Sequence, residues 1–117
     1  MNTLNWVKSR TGVYVTEQGS NSSGRWRRWS DGLLEQWCSY VRSAGKIYDF
    51  TTFVSFPKAF TTTGYYAFVQ AGKNDSNSVY RSVSSDLFGR KTTGVYCGWY
   101  SENSNAADRM SIYACGY

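Results

Sequence analysis

Aromatic rings outnumber branched aliphatic side chains in this sequence, and that fact restricts the fold more than any other. Phe, Trp and Tyr total 21 of 117 residues, against 15 for Leu, Ile and Val together. Any core must therefore be built largely on rings. Rings and β-branched side chains fit a pleated surface, and 10 Thr and 9 Val stand beside only 4 Leu and 7 Ala. Those proportions exclude a helical bundle and predict an all-β chain. A chain of this length closes one core and not two, which excludes multi-domain enzymes.

The order of residues carries the same message. Arg25-Trp26-Arg27-Arg28-Trp29 and Leu33-Leu34-Glu35-Gln36-Trp37 flank Ser30-Asp31-Gly32, a turn with a glycine available for positive φ, so these runs predict a hairpin. From Lys46 to Phe56 the chain alternates strictly. Tyr48, Phe50, Thr52, Val54 and Phe56 share one face, and Pro57, with no N–H to donate, ends the run. Further strands are predicted over Gly64–Gln70, Val79–Val83, Thr93–Tyr100 and Arg109–Tyr117, the last holding the chain terminus in a sheet. The polar stretches Asn74–Ser78 and Ser101–Asp108 are expected loops. Several short strands at this spacing, with Gly and Asn punctuation, argue for a small antiparallel β-sandwich or barrel. Residues 1–23 hold one short alternating piece, Gly12–Thr16, then turn-rich chemistry from Glu17 to Gly24. They are expected to be a lead-in segment or linker before a domain spanning residues 24–117.

Little in the sequence supports catalysis. It has no histidine, which removes the usual general base and the usual metal ligand together. Asp31 and Glu35 are the nearest approach to a carboxylate pair. Four residues of extended chain span about 13 Å, outside the roughly 5–9.5 Å that a glycosidase pair needs, so Asp31 is expected to serve the turn. Cys38, Cys97 and Cys115 are widely spaced and odd in number, which fits three reduced, half-buried thiols better than a zinc or redox site. No catalytic, cofactor-binding or metal-ligating residue is expected.

The net charge of +5 permits acidic polymers as partners. The Arg25–Trp29 run places cations beside ring faces, as single-stranded nucleic-acid platforms do. On a strand, however, Trp26 and Arg28 face one way and Arg25, Arg27 and Trp29 the other. The remaining cations are scattered, so no stripe exists to track a phosphate backbone, and nucleic acid is not the expected partner. The polar loops offer another surface. Lys73, Asn74, Asp75 and Asn77, with Glu102, Asn103 and Asn105, have the composition of adaptable recognition loops, and Tyr65 and Tyr100 lie in the flanking strands. The first residues show no apolar run behind their charges, so no signal peptide is expected.

Three motifs then resemble one family in order. Arg27-Arg28-Trp29-Ser30-Asp31-Gly32-Leu33-Leu34-Glu35-Gln36-Trp37 resembles the W-x-R/K-W/Y-S-D-G-x-x-E-Q-x-G signature of the carboxyl-terminal receptor-binding domains of bacteriophage tail fibres. Phe53-Val54-Ser55-Phe56-Pro57-Lys58-Ala59-Phe60 resembles its V-x-F-P-x-x-F strand, and Ser111 to Tyr117 resembles its W-x-A-x-G-Y ending. Cys38 departs from the pattern, standing where the family carries Gly, and no shaft-like repeat precedes Trp26. The resemblance implies a β-sandwich at the distal tip of a virion tail fibre, assembled as a homotrimer. Its variable loops would bind a bacterial cell-surface polysaccharide or an outer-membrane protein, after maturation in the reducing host cytoplasm without a signal peptide. The matched motifs would be scaffold. A structural fibre-end or trimerisation cap without a ligand is the alternative role, and a single-stranded nucleic-acid-binding module a more distant one. No virion-attachment domain fits within the chain, so it is expected to be a fragment of a longer fibre.

Overall fold

The computed structural model describes the backbone of residues 12–42, 47–73, 81–101 and 108–117, and the side chains of 12–41, 51–71, 89–98 and 109–117. Eight antiparallel strands are present among them: β1 (Val15–Asn21), β2 (Gly24–Trp29), β3 (Leu34–Arg42), β4 (Ile47–Ser55), β5 (Tyr66–Lys73), β6 (Arg81–Lys91), β7 (Gly94–Ser101) and β8 (Asp108–Gly116). They form a five-stranded sheet in the order β1-β2-β3-β8-β5 and a three-stranded sheet in the order β4-β7-β6. The all-β antiparallel expectation holds.

The core lies between the sheets and draws on both. Leu34, Cys38, Met110, Ile112 and Ala114 point inward from the larger sheet, Val54, Val95 and Cys97 from the smaller. Phe56, Phe60 and Tyr65, on the segment between β4 and β5, complete it as a ring cluster. Phe60 and Tyr65 stack at 4.5 Å, and Phe56 meets each of them edge-on. This is the ring-built core that the composition requires.

The predicted hairpin is β2–β3, with Arg25 opposite Trp37 and Arg27 opposite Glu35. Its turn is closed by Asp31, whose Oδ1 accepts the Leu33 N–H at 3.0 Å, and by Gly32 at φ +94°. Cys38, the departure from the family pattern, stands inside β3 and is buried. No turn depends on it. The closing strand β8 is central in its sheet, laddered to β3 on one side and β5 on the other. The Tyr117 carbonyl accepts the Thr61 and Thr62 N–H groups at 3.2 and 3.3 Å, so the end of the chain is built in.

Gln36, 1% exposed, locks the crossing between the sheets. Its Nε2 donates to the Lys58 carbonyl at 2.8 Å and its Oε1 accepts the Lys58 N–H at 3.0 Å. The chain after Pro57 thereby satisfies its backbone through one side-chain amide.

Two expectations need correction. Residues 15–21 are not linker: they form β1, paired with β2 from Val15↔Trp29 to Asn21↔Gly24. A short polar strand can pair there because it lies at the sheet edge and all but one of its residues is exposed. The strand expected over Val79–Val83 is β6, which runs to Lys91. A break in register between Ser85 and Arg90 interrupts its ladder with β7, and that irregularity hides the strand from a period-two reading.

Candidate functional site

Alternation along β3 sends Leu34, Gln36 and Cys38 into the core, so Glu35, Trp37, Ser39 and Val41 must emerge on the opposite face. The register then assembles that face in rows. One row runs Arg25, Trp37, Tyr113, Phe68 across β2, β3, β8 and β5; the next runs Arg27, Glu35, Cys115, Tyr66; a third runs Ser39, Ser111, Gln70. The second sheet packs on the inner side, and every described side chain in these rows is half-buried or exposed. Tyr66 is 65% and Phe68 59% exposed, large values for rings side by side on a sheet.

The face is ordered by specific contacts. Trp37 and Tyr113 meet at 5.5 Å between centroids, and Phe68 lies 6.3 Å from Tyr113. Arg25 stands over Trp37 at 4.6 Å, while Arg27 sits 5.8 Å from Trp37 and 5.9 Å from Trp29. Glu35, opposite Arg27 in the ladder, accepts instead from Trp29 Nε1 at 2.6 Å and from the Tyr113 hydroxyl at 2.5 Å. Desolvation, reinforced by that bond to Glu35, holds the Tyr113 hydroxyl protonated well above the ordinary range of a phenol. With Glu35 engaged by neutral donors, neither Arg25 nor Arg27 has a carboxylate within ion-pair distance among the described residues.

A groove of about 760 Å³ crosses this face, floored by Trp37, Tyr113 and Phe68 and walled by Arg25 and the Asn21–Gly24 turn, with Ser39, Gln70 and Ser111 along it. Such a volume lies within the range of ligand sites, about 300–1,000 Å³. Behind it, on the inner side, Glu17 binds Lys58 at 2.6 Å and Arg28 at 3.5 Å. The Lys58 ammonium is the main reason that the Glu17 carboxyl titrates below its usual range.

The residues singled out from the sequence fall in three groups. Tyr65 is fully buried, its hydroxyl within 2.8 Å of the Lys91 carbonyl and 3.0 Å of that of Gly94, so it is a core residue and not a ligand contact. Lys73 ends β5 opposite Asp108, and Tyr100 lies in β7 opposite Ser82. Asn74, Asp75, Asn77, Glu102, Asn103 and Asn105 lie outside the described residues. In the larger sheet Arg42 and Lys73 both pair with Asp108, and in the smaller sheet Ile47 and Arg81 both pair with Ser101. The face of Arg25, Trp37, Phe68 and Tyr113 was not singled out as a site from the sequence; its one signal was the Arg25–Trp29 run, whose split into two faces the structure reproduces.

No family model and no curated protein matches this sequence. Solved structures do match. The C-terminal part of the R1 pyocin fibre of P. aeruginosa superposes with a TM-score of 0.72 at 16% identity, covering 100% of this chain and 32% of that one. An N-truncated R1-type pyocin tail fibre gives 0.71 at 16% identity, covering 100% of this chain and 98% of that one. An N-truncated R2-type fibre gives 0.51 at 22% identity, covering 100% and 44%. The chain spans about a third of the first of these structures and nearly all of the second. From its edge strand β1 to the central terminal strand β8, this chain has the fold of the C-terminal part of a pyocin tail fibre.

Proposed function

We propose that this chain is the receptor-binding tip of a phage or phage-like tail fibre, assembled as a homotrimer, which attaches the particle to a bacterial surface polysaccharide or outer-membrane protein by binding alone, without catalysis. The observation that carries this reading is the superposition of the whole chain on the C-terminal part of pyocin fibres. The three tail-fibre motifs support it independently, and the structure gives each of them a scaffold role. The S-D-G turn closes the β2–β3 hairpin. The Gln of E-Q binds the residue after the Pro of F-P. The Gly of the closing motif, Gly116, packs so tightly that an added Cβ would fall 2.6 Å from Tyr65.

Binding in this reading rests on the loops after β5 and β7, with Lys73, Asn74, Asp75, Asn77, Tyr100, Glu102, Asn103 and Asn105 as the contacts. Three copies multiply weak single sites. The test is binding of the fluorescently labelled protein to a panel of intact bacteria, with the oligomeric state taken from light scattering on the same sample. Saturable binding of a trimer to a few strains is the expected result. Alanine at Asn74, Asp75 and Asn103 together should abolish that binding and leave the melting temperature unchanged. A trimer that binds no strain would be a structural cap, and the receptor-binding reading would be wrong.

A further inference from the structure

Resting on the fibre-tip reading, and naming the chemistry of its ligand, we infer that the groove across the outer face of the five-stranded sheet is a subsite for an anionic saccharide, one bearing phosphate or carboxylate groups. Arg25 supplies the charge and Phe68 a stacking face. Three observations carry this. Arg25 and Arg27 have no carboxylate partner among the described residues, and Glu35, the nearest acid in the ladder, is held by Trp29 and Tyr113. An exposed guanidinium left open in this way is a ready fork for phosphate or carboxylate. Phe68, 59% exposed, offers a ring at the far end of the same cross-strand row, three strands from Arg25. Ser39, Ser111 and Gln70 line the next row with exposed hydroxyl and amide groups, the partners that sugar hydroxyls require.

A single-stranded nucleic acid is the competing occupant, since it too would use rings and arginines. Two features favour the sugar. Arg25 already covers Trp37 at 4.6 Å, which leaves that indole face closed to a base, and two cations in one place do not follow a phosphate backbone.

The experiment titrates the intact protein, by tryptophan fluorescence at low and high salt, with four probes. They are a phosphorylated core oligosaccharide released from bacterial lipopolysaccharide, oligogalacturonate, uncharged maltoheptaose, and a twenty-residue oligothymidylate. Binding of the phosphorylated core or of oligogalacturonate, weakened by salt and absent with maltoheptaose, is expected; which of the two binds tells phosphate from carboxylate. Arg25→Gln should weaken it about 10- to 100-fold and Phe68→Ala about tenfold, both with unchanged melting temperature because both side chains are exposed. Several results would overturn the proposal: neither acidic saccharide binds, maltoheptaose binds equally well, or oligothymidylate binds more tightly and loses that affinity in Arg25→Gln. A change of oligomeric state in Arg25→Gln or Phe68→Ala would also overturn it, by showing the face to be an interface between copies. Cell binding that survives both substitutions but not the Asn74, Asp75, Asn103 change removes the groove and leaves the fibre-tip reading intact. Saccharide binding that depends on Arg25, by a protein that adheres to no cell, does the reverse.

Discussion

Replacing Gln36 by alanine tests whether one amide joins the two sheets. In the folded chain this side chain is 1% exposed and its two polar atoms hold the N–H and C=O of Lys58 at 3.0 and 2.8 Å. Alanine leaves both backbone groups without their partner. Each such orphan costs about 1–3 kcal/mol when buried; Lys58 is half-buried and water repairs part of the loss, so a total of about 3 kcal/mol is expected, near the lower end of the sum. At about 4 °C per kcal/mol for a chain of this size, the melting temperature should fall by about 12 °C, read by calorimetry at fixed protein concentration because any association of copies would raise it. Gln36→Glu sharpens the test. Burial raises the folded-state pKa of the new carboxyl above its unfolded value of about 4.3. The neutral acid, which donates to the Lys58 carbonyl as the amide does, therefore prevails at low pH. Stability should be close to that of the parent below the unfolded pKa, relative to the parent at the same pH, and should drop as pH rises through the folded one. A melting temperature for Gln36→Ala within about 3 °C of the parent, or a Gln36→Glu profile parallel to the parent's across pH, would refute the reasoning. The Phe56 and Phe60 backbone bonds to Thr93 and Thr92 would then be what holds the crossing.

Three further outcomes are expected. Burial pushes the Cys38 thiol up to about 11, above its unfolded value, so the neutral thiol is the folded form; its contribution is complete below pH 9 and is lost between pH 9 and 11, and alkylation by iodoacetamide at pH 8 should be slow until the chain is denatured. Tyr113 is shifted the same way, by desolvation and then by Glu35, so its phenolate absorbance should be missing at pH 10.5 in the native protein and should appear on unfolding; a Tyr113→Phe variant whose native titration curve matches the parent's would agree. Gly116→Ala forces a methyl group into the Tyr65 backbone and Cβ, 2.6 Å away, and should destabilise by about 1–3 kcal/mol, measured by urea unfolding; a neutral result would mean that β8 sits less tightly than described.

The parts of the fold that sequence could show are those in which one residue type has one physical use. Pro57 cannot donate to a ladder, and β4 ends two residues before it. Asp31 and Gly32 suit a tight turn, and they make one. The alternation of Met110, Ile112 and Ala114 places β8 in the core, and the structure sets it between two neighbours. Where the sequence misled, the residues had two uses. Ser, Asn and Gly between 17 and 24 serve equally in a linker and in an exposed edge strand, and only pairing with β2 decides between them. Tyr65 has the ring of a recognition surface, yet it packs against Phe56 and Phe60 and spends its hydroxyl on the backbone of the β6–β7 turn region.

The outer face of the larger sheet was harder to see for a topological reason. Trp37 and Phe68 are 31 positions apart in sequence and Tyr113 is 45 beyond Phe68; no local pattern links them. They meet because β8 inserts between β3 and β5, so that the last strand of the chain supplies the middle of the row. Alternation alone shows that Trp37 must oppose the core once Gln36 and Cys38 face it, but not what stands beside it. The same insertion commits both faces at once. Ile112 and Ala114 close the core beneath while Ser111, Tyr113 and Cys115 complete the surface above. A one-residue slip of β8 would put Tyr113 into the core and Ile112 into solvent, at the cost of most of the buried contacts of the strand. The register that stabilises the sandwich is thus the register that assembles Arg25, Trp37, Tyr113 and Phe68 into one row, and substitutions on the outer face can change what it binds without disturbing the pairing that holds it.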